Sequence, residues 1–186
     1  GSGGQGILLV GRILSEALTM ERYHVAQSQS YEPTSRGGLS RADLVASTEM
    51  VDYPLASSLD YLVVLHKIAA GASDVLLKES SFTLIDSGLS EYYAIETGRS
   101  LYLPIIDTAK KLGNIRSTNM IALGALLELG DICEQQTILE AIKKVAPAKL
   151  VEPASEAVME GYRLAQNAEA HEQSGRVLER VPLASV

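Results

Sequence analysis

The sequence has little cysteine, few aromatic residues other than tyrosine, and no long apolar run. The single cysteine, Cys133, excludes a disulfide framework and cannot hold an iron–sulfur cluster by itself. No stretch approaches the roughly 18 uninterrupted apolar residues of a membrane-spanning helix, and no secretory signal is present. We therefore expect a cytoplasmic protein with no membrane partner.

Basic residues are also scarce, because 16 Lys and Arg stand against 23 Asp and Glu and leave a net charge of −7. A general nucleic-acid binder needs a basic surface, so we expect no nucleic-acid partner. Tyrosine provides eight of the nine aromatic side chains, which suits either a protein interface or the rim of a core. The length allows one domain with a full core, which we place at residues 1–170, followed by a C-terminal extension at residues 171–186.

What the sequence does contain begins with a glycine cluster, Gly1-Ser2-Gly3-Gly4-Gln5-Gly6, that leads into a segment of helical periodicity. The first amide groups of such a helix point outward with the positive end of the helix dipole behind them. That arrangement suits an anion or a closely packed partner backbone. A tight turn that packs the helix on a sheet explains the glycines equally well.

This cluster lacks the features that would make it a nucleotide loop of a known type. No strand precedes Gly1, and residues 24–30 contain no Asp or Glu to hold ribose hydroxyls, so an NAD site is disfavoured. No Lys-Ser or Lys-Thr follows the glycines, which excludes a P-loop. The missing strand indicates either a chain shortened at its start or a Gly1-Ser2 cleavage scar. We favour the first because Gly1 fits the motif as it stands.

Strand and helix patterns alternate along the chain. The patterns predict strands at residues 23–30, 41–47, 61–65, 81–86 and 100–104, and helices at residues 5–21, 107–112, 118–129, 133–145 and 153–170. This alternation predicts an α/β fold, a three-layer α/β/α sandwich on a largely parallel, Rossmann-like sheet with one antiparallel pair. We expect Gly130 to cap the helix before it, and Asp107 to cap the helix that it begins.

A second dense stretch reads Gln27-Ser28-Gln29-Ser30-Tyr31-Glu32-Pro33, followed by Ser35-Arg36-Gly37-Gly38. It places hydroxyls, amides and an arginine at a strand end, where ligands of α/β folds usually bind. Arg36 could present its guanidinium to a carboxylate or phosphate, or tie the loop to its own domain or a partner. Asp86-Ser87-Gly88 also follows a strand, where a ligand site and a turn are both possible.

The two dense stretches together resemble a known family signature. The signature is similar to that of the gamma subunit of 2-oxoacid:acceptor (ferredoxin or flavodoxin) oxidoreductases. It consists of the glycine cluster, Gln27 to Tyr31, and Arg36-Gly37-Gly38-x-Ser40-Arg41-Ala42-Asp43. The same unit is the central domain of single-chain pyruvate:ferredoxin oxidoreductases, and the Gln-Ser-Gln-Ser-Tyr form is most similar to the 2-oxoglutarate branch. The resemblance extends to Asp52-Tyr53-Pro54, Ile85-Asp86-Ser87, Asn119-Met120 and Gly124.

This resemblance implies an accessory subunit that carries no catalytic residue, metal or cofactor of its own. Such complexes hold thiamine diphosphate and magnesium between alpha and beta subunits, and iron–sulfur clusters on a beta or delta-type subunit. They decarboxylate a 2-oxoacid oxidatively to an acyl-CoA and pass the electrons to ferredoxin or flavodoxin. We therefore expect alpha, beta and delta-type subunits as partners, and 2-oxoglutarate as the substrate of the complex.

The resemblance also gives a set of candidate contacts for coenzyme A or a neighbouring subunit. They are Gly3, Gly4, Gln5, Gly6, Ser28, Ser30, Arg36, Gly37 and Gly38. Two other hypotheses remain open from the sequence. One is a stand-alone nucleotide- or CoA-binding module, and the other is a structural scaffold whose loops contact no ligand.

Overall fold

The computed structural model of the protein describes residues 1–32 and 37–172. Within these ranges the strands are β1 (His24–Tyr31), β2 (Ser40–Ser47), β3 (Leu59–Val64), β4 (Leu77–Asp86) and β5 (Arg99–Leu103). The α-helices are α1 (Ile7–Met20), α2 (Ile105–Lys111), α3 (Thr118–Gly130), α4 (Gln135–Val145) and α5 (Ala148–Glu172). Residues 173–186, most of the predicted extension, lie outside the described part of the chain.

Three of the strands form a parallel sheet in the order β3–β4–β5. The last six residues of β4 are all buried, because this strand has a partner on each side and packing on both faces. One face carries the main core with the helices, and the other carries a small cluster under short 3-10 turns. The predicted α/β class and parallel sheet are confirmed.

The antiparallel pair predicted for the first two strands is also present, as a separate two-stranded sheet in the described residues. Helix α1 packs across this hairpin at Gly11. A Cβ atom at that position would lie 2.5 Å from Nε2 of Gln27 and 3.0 Å from Cβ of Ala42. A two-stranded hairpin is only marginally stable by itself, so this close contact with α1 helps to hold it.

Helix α3 is apolar nearly all round and is the most deeply buried helix, as its sequence predicted. It packs against α5 with almost no space between the two backbones. A Cβ atom at Gly124 would overlap the carbonyl oxygen of Val158, and one at Gly161 would overlap that of Ile121. Both positions of the interface therefore require glycine.

Two predicted helix caps are wrong. Gly130 is the last residue of α3, and Asp131 adopts the left-handed conformation after it, with φ 49°. Glycine at position 130 makes room for neighbouring side chains, since a Cβ atom there would lie 2.9 Å from Cε1 of Tyr61. Helix α2 begins at Ile105, so Asp107 lies inside its first turn and forms an ion pair with Lys110 at 2.8 Å instead of capping.

The start of α5 differs from the prediction as well. The sequence placed Pro153 in the first turn, where proline loses no hydrogen bond. The helix instead begins at Ala148 and contains Pro153 in its interior. It also runs to Glu172, two residues into the predicted extension.

Candidate functional site

The glycine loop, residues 1–6, lies along the start of β2. Gly3 N donates to the carbonyl oxygen of Gly38 at 2.8 Å, and Ser40 N donates to the carbonyl oxygen of Gly1 at 2.9 Å. These bonds place the glycines of the two sequence motifs side by side, although they are more than 30 residues apart in the chain. We refer to residues 1–6 and 37–40 together as the glycine pole.

The glycine loop is also tied to the parallel sheet by Gln5. Its Oε1 accepts from Ser2 N at 2.7 Å, which closes the turn. Its Nε2 lies 3.5 Å from the carbonyl oxygen of Leu65, the residue after β3. The loop therefore lies at the carboxyl end of a parallel strand, the edge at which α/β folds bind their ligands.

A third contact joins the glycine loop to the buried helix α3. Asn119 is 5% exposed, and its Nδ2 donates to the carbonyl oxygen of Gly6 at 3.0 Å. Gly6 has φ 72°, and a Cβ atom there would lie 2.5 Å from the same Nδ2. In the sequence, Asn119 belongs to the family resemblance but has no assigned role. The structure shows that it fixes the end of the loop.

The start of α1 is left without a counter-charge from its own residues. Gly6 is the residue before the helix and provides no side-chain cap, and the first turn contains no acidic residue. Leu9 N and Val10 N are satisfied by the Gly6 carbonyl oxygen at 3.1 and 3.2 Å. The positive end of the helix dipole is therefore available to an anion or a carbonyl group of another molecule.

Open space adjoins the glycine pole at two positions. Gly4 and Gly37 have φ 91° and 79°, and a Cβ atom at either would meet no atom of residues 1–32 or 37–172 within 4 Å. Both residues are exposed, as is Gly3. Because glycine has no side chain, another molecule can approach the backbone closely at these exposed positions.

Ser28 and Ser30 lie on one face of the hairpin. In the antiparallel register Ser28 is opposite Asp43 and Ser30 is opposite Arg41, so all four share a face. Arg41 Nε donates to both carboxylate oxygens of Asp43 at 2.6 and 2.8 Å, which neutralises this pair. The face thus offers hydroxyl groups beside an internally paired charge, while Arg36 lies outside the described residues.

Asp86, considered from the sequence as a ligand site or a turn residue, has a structural role. It is 3% exposed and accepts from Gly88 N at 3.0 Å and from Ile106 N at 2.8 Å. The carboxylate therefore caps the turn after β4 and the start of α2 at the same time. Because both carboxylate oxygens accept hydrogen bonds from backbone N–H groups of the chain itself, this arrangement gives no indication of a ligand at Asp86.

The other reactive side chains do not form a site. His66 caps a 3-10 turn, accepting from Ile68 N through Nδ1 at 3.3 Å, and its pKa is lowered by burial and by nearby positive charge that includes Lys67. Burial, with the nearby carboxylates of Glu21 and Glu134, raises the pKa of the Cys133 thiol to about 12. No group of three His, Cys, Asp or Glu that could hold a metal lies together in the described ranges.

A pocket of about 360 Å³ lies elsewhere, between the segments that precede β4 and β5. Tyr93 and Asp74 line it and are joined by a hydrogen bond of 2.5 Å from the Tyr93 hydroxyl, while Tyr102 donates to the Tyr93 carbonyl oxygen at 2.7 Å. Across residues 1–32 and 37–172, no helix is long and apolar enough to cross a membrane.

Comparison with known proteins places this geometry in a family. Residues 1–164 match the family model described as pyruvate ferredoxin/flavodoxin oxidoreductase. The chain is similar to the 2-oxoglutarate synthase subunit KorC of Archaeoglobus fulgidus, with 38% identity over 127 residues. That match covers 68% of this chain and 65% of the relative, so it spans just under two thirds of the relative's length.

Solved structures give the same result. The gamma subunit of a keto/oxoacid ferredoxin oxidoreductase from Geobacter sulfurreducens PCA aligns with a TM-score of 0.78 and 31% identity, covering 90% of this chain and 93% of that one. The 2-oxoglutarate:ferredoxin oxidoreductase of Magnetococcus marinus, solved with 2-oxoglutarate, coenzyme A and succinyl-CoA, shares the fold with a TM-score of 0.75 and 21% identity. The alignment covers 99% of this chain and 32% of that one. The chain belongs to the pyruvate ferredoxin/flavodoxin oxidoreductase family.

Proposed function

We propose that this chain is the gamma subunit of a cytoplasmic, multi-subunit 2-oxoglutarate oxidoreductase. The complex would decarboxylate 2-oxoglutarate oxidatively, transfer the acyl group to coenzyme A, and pass the electrons to ferredoxin or flavodoxin. The observation that carries this proposal is that the family match, over residues 1–164, includes the whole glycine pole. The choice of 2-oxoglutarate rests on the similarity to a 2-oxoglutarate synthase subunit.

In this proposal the chain is an accessory subunit, and the reacting groups lie on its partners. Thiamine diphosphate with magnesium belongs to the alpha and beta subunits, and the iron–sulfur clusters belong to a beta or delta-type subunit. The glycine pole contacts the alpha and beta subunits or lines the route of coenzyme A. Its support is the open space beside Gly4 and Gly37, next to a helix start without a capping side chain or acidic residue.

A stand-alone nucleotide- or CoA-binding module is the second candidate. The same helix start favours it, because uncapped backbone amides suit phosphate groups with or without partner subunits. The two candidates differ in what the isolated chain does. A module binds its ligand alone, whereas an accessory subunit acts only in the assembly.

The test is a tagged pull-down of this chain from its native cells, followed by an assay of dye reduction that depends on 2-oxoglutarate and coenzyme A. The proposal predicts co-purification of larger subunits and activity with 2-oxoglutarate well above that with pyruvate. A chain that elutes alone, without activity but with a thermal shift on addition of coenzyme A or a nucleotide, would support the module. Co-elution with activity only toward another 2-oxoacid would keep the subunit role and replace the substrate.

A further inference from the structure

The connection between β2 and β3, residues 48–58, forms neither helix nor strand. Three of its large apolar side chains lie within six residues and are exposed to solvent. The exposed fractions are 76% for Met50, 66% for Tyr53 and 52% for Leu55. Clustered exposed apolar side chains on a folded domain are typical of a surface that another molecule covers.

The composition of this loop restricts what can cover it. Glu49 and Asp52 are its charged residues, and the sequence from 42 to 66 contains no Lys or Arg. Neither carboxylate forms an ion pair with a described residue. A second copy of this chain, with its net charge of −7 and the same acidic loop, would be repelled. An apolar pocket with Lys and Arg at its rim is complementary.

The loop is also suited to binding without a large ordering cost. Proline fixes its own φ and holds the residue before it extended, so Tyr53 and Pro54 restrict the middle of the loop. Tyrosine is among the residues that contribute most to binding energy at protein interfaces. A segment that is already restricted loses less entropy when its side chains enter a pocket.

We propose that residues 49–55 are a docking element that inserts Met50, Tyr53 and Leu55 into an apolar, Lys- and Arg-rimmed pocket on a neighbouring subunit of the oxidoreductase. The inference rests on the proposed subunit function and adds a second contact surface to the glycine pole. It identifies the partner surface by its chemistry, apolar in the centre and basic at the edge.

The experiment measures binding of the purified chain to the remaining subunits of its own complex by surface plasmon resonance. We expect Met50→Ser/Tyr53→Ser to weaken binding at least tenfold, with an unchanged melting temperature because both side chains are exposed. Asp52→Lys should weaken binding further at low salt than at high salt, since it reverses a charge that faces basic groups. The matched control is Val75→Ser/Tyr92→Ser, a pair exposed to 92% and 75% outside this loop, which should bind like the parent.

The outcomes separate the two proposals. If the parent binds and Met50→Ser/Tyr53→Ser binds within twofold of it, the docking element is wrong while the subunit role stands. If the control pair weakens binding as much as the loop pair, the effect is not specific to the loop and the docking element is again wrong. If the parent itself does not bind the other subunits, the proposed function and the docking element both fail.

Discussion

Two groups of glycines in this molecule have opposite surroundings. Between α3 and α5, a Cβ atom at Gly124 or Gly161 would overlap backbone of the facing helix. At the glycine pole, a Cβ atom at Gly4 or Gly37 would meet no atom of the described part of the chain within 4 Å. The space beside the first group is filled by the facing helix, and the space beside the second group holds no described atom.

The difference shows that one residue type serves two purposes in this chain. The helix-pair glycines allow the backbones to approach, which adds packing and stability. Gly4 and Gly37 have no such neighbour among the described residues, and each loses more conformational freedom on folding than a residue with a side chain would. The backbone at these two positions is therefore left accessible to another molecule.

The largest predicted effect is at the helix pair. Gly161→Ala should destabilise the chain by about 3 kcal/mol or more, because the methyl group can be accommodated only if the two helices move apart. Urea denaturation followed by circular dichroism measures this. Gly3→Ala is the matched control, since its Cβ atom would lie 3.7 Å from the Gly38 carbonyl oxygen, an ordinary contact, and stability should change by less than about 0.5 kcal/mol. Equal losses for both variants would contradict the contrast.

The next effect concerns the link between the buried helix and the pole. Asn119→Ala removes the bond to the Gly6 carbonyl oxygen and should cost about 1–2 kcal/mol. Gly6→Ala should cost a similar amount, because it combines a positive φ with a clash against Asn119. In the double variant Asn119→Ala/Gly6→Ala the clash is absent. Its loss in free energy of unfolding should therefore be smaller than the sum of the losses of the two single variants. Strictly additive losses in a double-mutant cycle would show that the side chain does not hold the loop.

A smaller-scale test compares the reactivity of the partly buried Cys133 thiol, in the connection between α3 and α4, with that of a thiol placed at the glycine pole. The pKa of Cys133, raised to about 12 by burial, leaves little thiolate at pH 8, so alkylation should be roughly a thousandfold slower than in urea. Since the folded pKa lies above the unfolded value, the free energy of unfolding should fall as pH rises above about 8.5. Gly3→Cys places a second thiol at the open pole. It should react at the rate of a free thiol, and a slow reaction there would show that the pole is covered.

Local periodicity predicted much of the fold. The strands and helices were found close to their predicted positions because each has a clear apolar pattern, as in the all-round apolar α3. Helix ends were predicted less accurately. Gly130 is the last residue of α3 because of its packing, and Asp107 lies inside α2 because that helix begins two residues earlier. Those constraints come from residues distant in sequence, such as Tyr61.

The candidate site was harder to predict than the elements that carry it. The two glycine motifs are visible in the sequence. Their contact depends on a backbone hydrogen bond between Gly3 and Gly38, which are too far apart in the chain for local sequence patterns to predict it. The role of Asn119 depends on the approach of α3 to the loop in the folded chain. Asp86 had the polarity of a ligand residue, and only its buried bonds identify it as a cap.

We propose that the glycine pole is kept open for contact with a partner subunit or coenzyme A. The most direct measurement is 2-oxoglutarate- and CoA-dependent dye reduction by the complex reconstituted with Gly3→Gln, alongside the melting temperature of the isolated variant. We expect an unchanged melting temperature and at least a tenfold loss of activity, because the larger side chain extends from Gly3 into the space beside Gly4 and Gly37. Full activity with an unchanged melting temperature would contradict the claim.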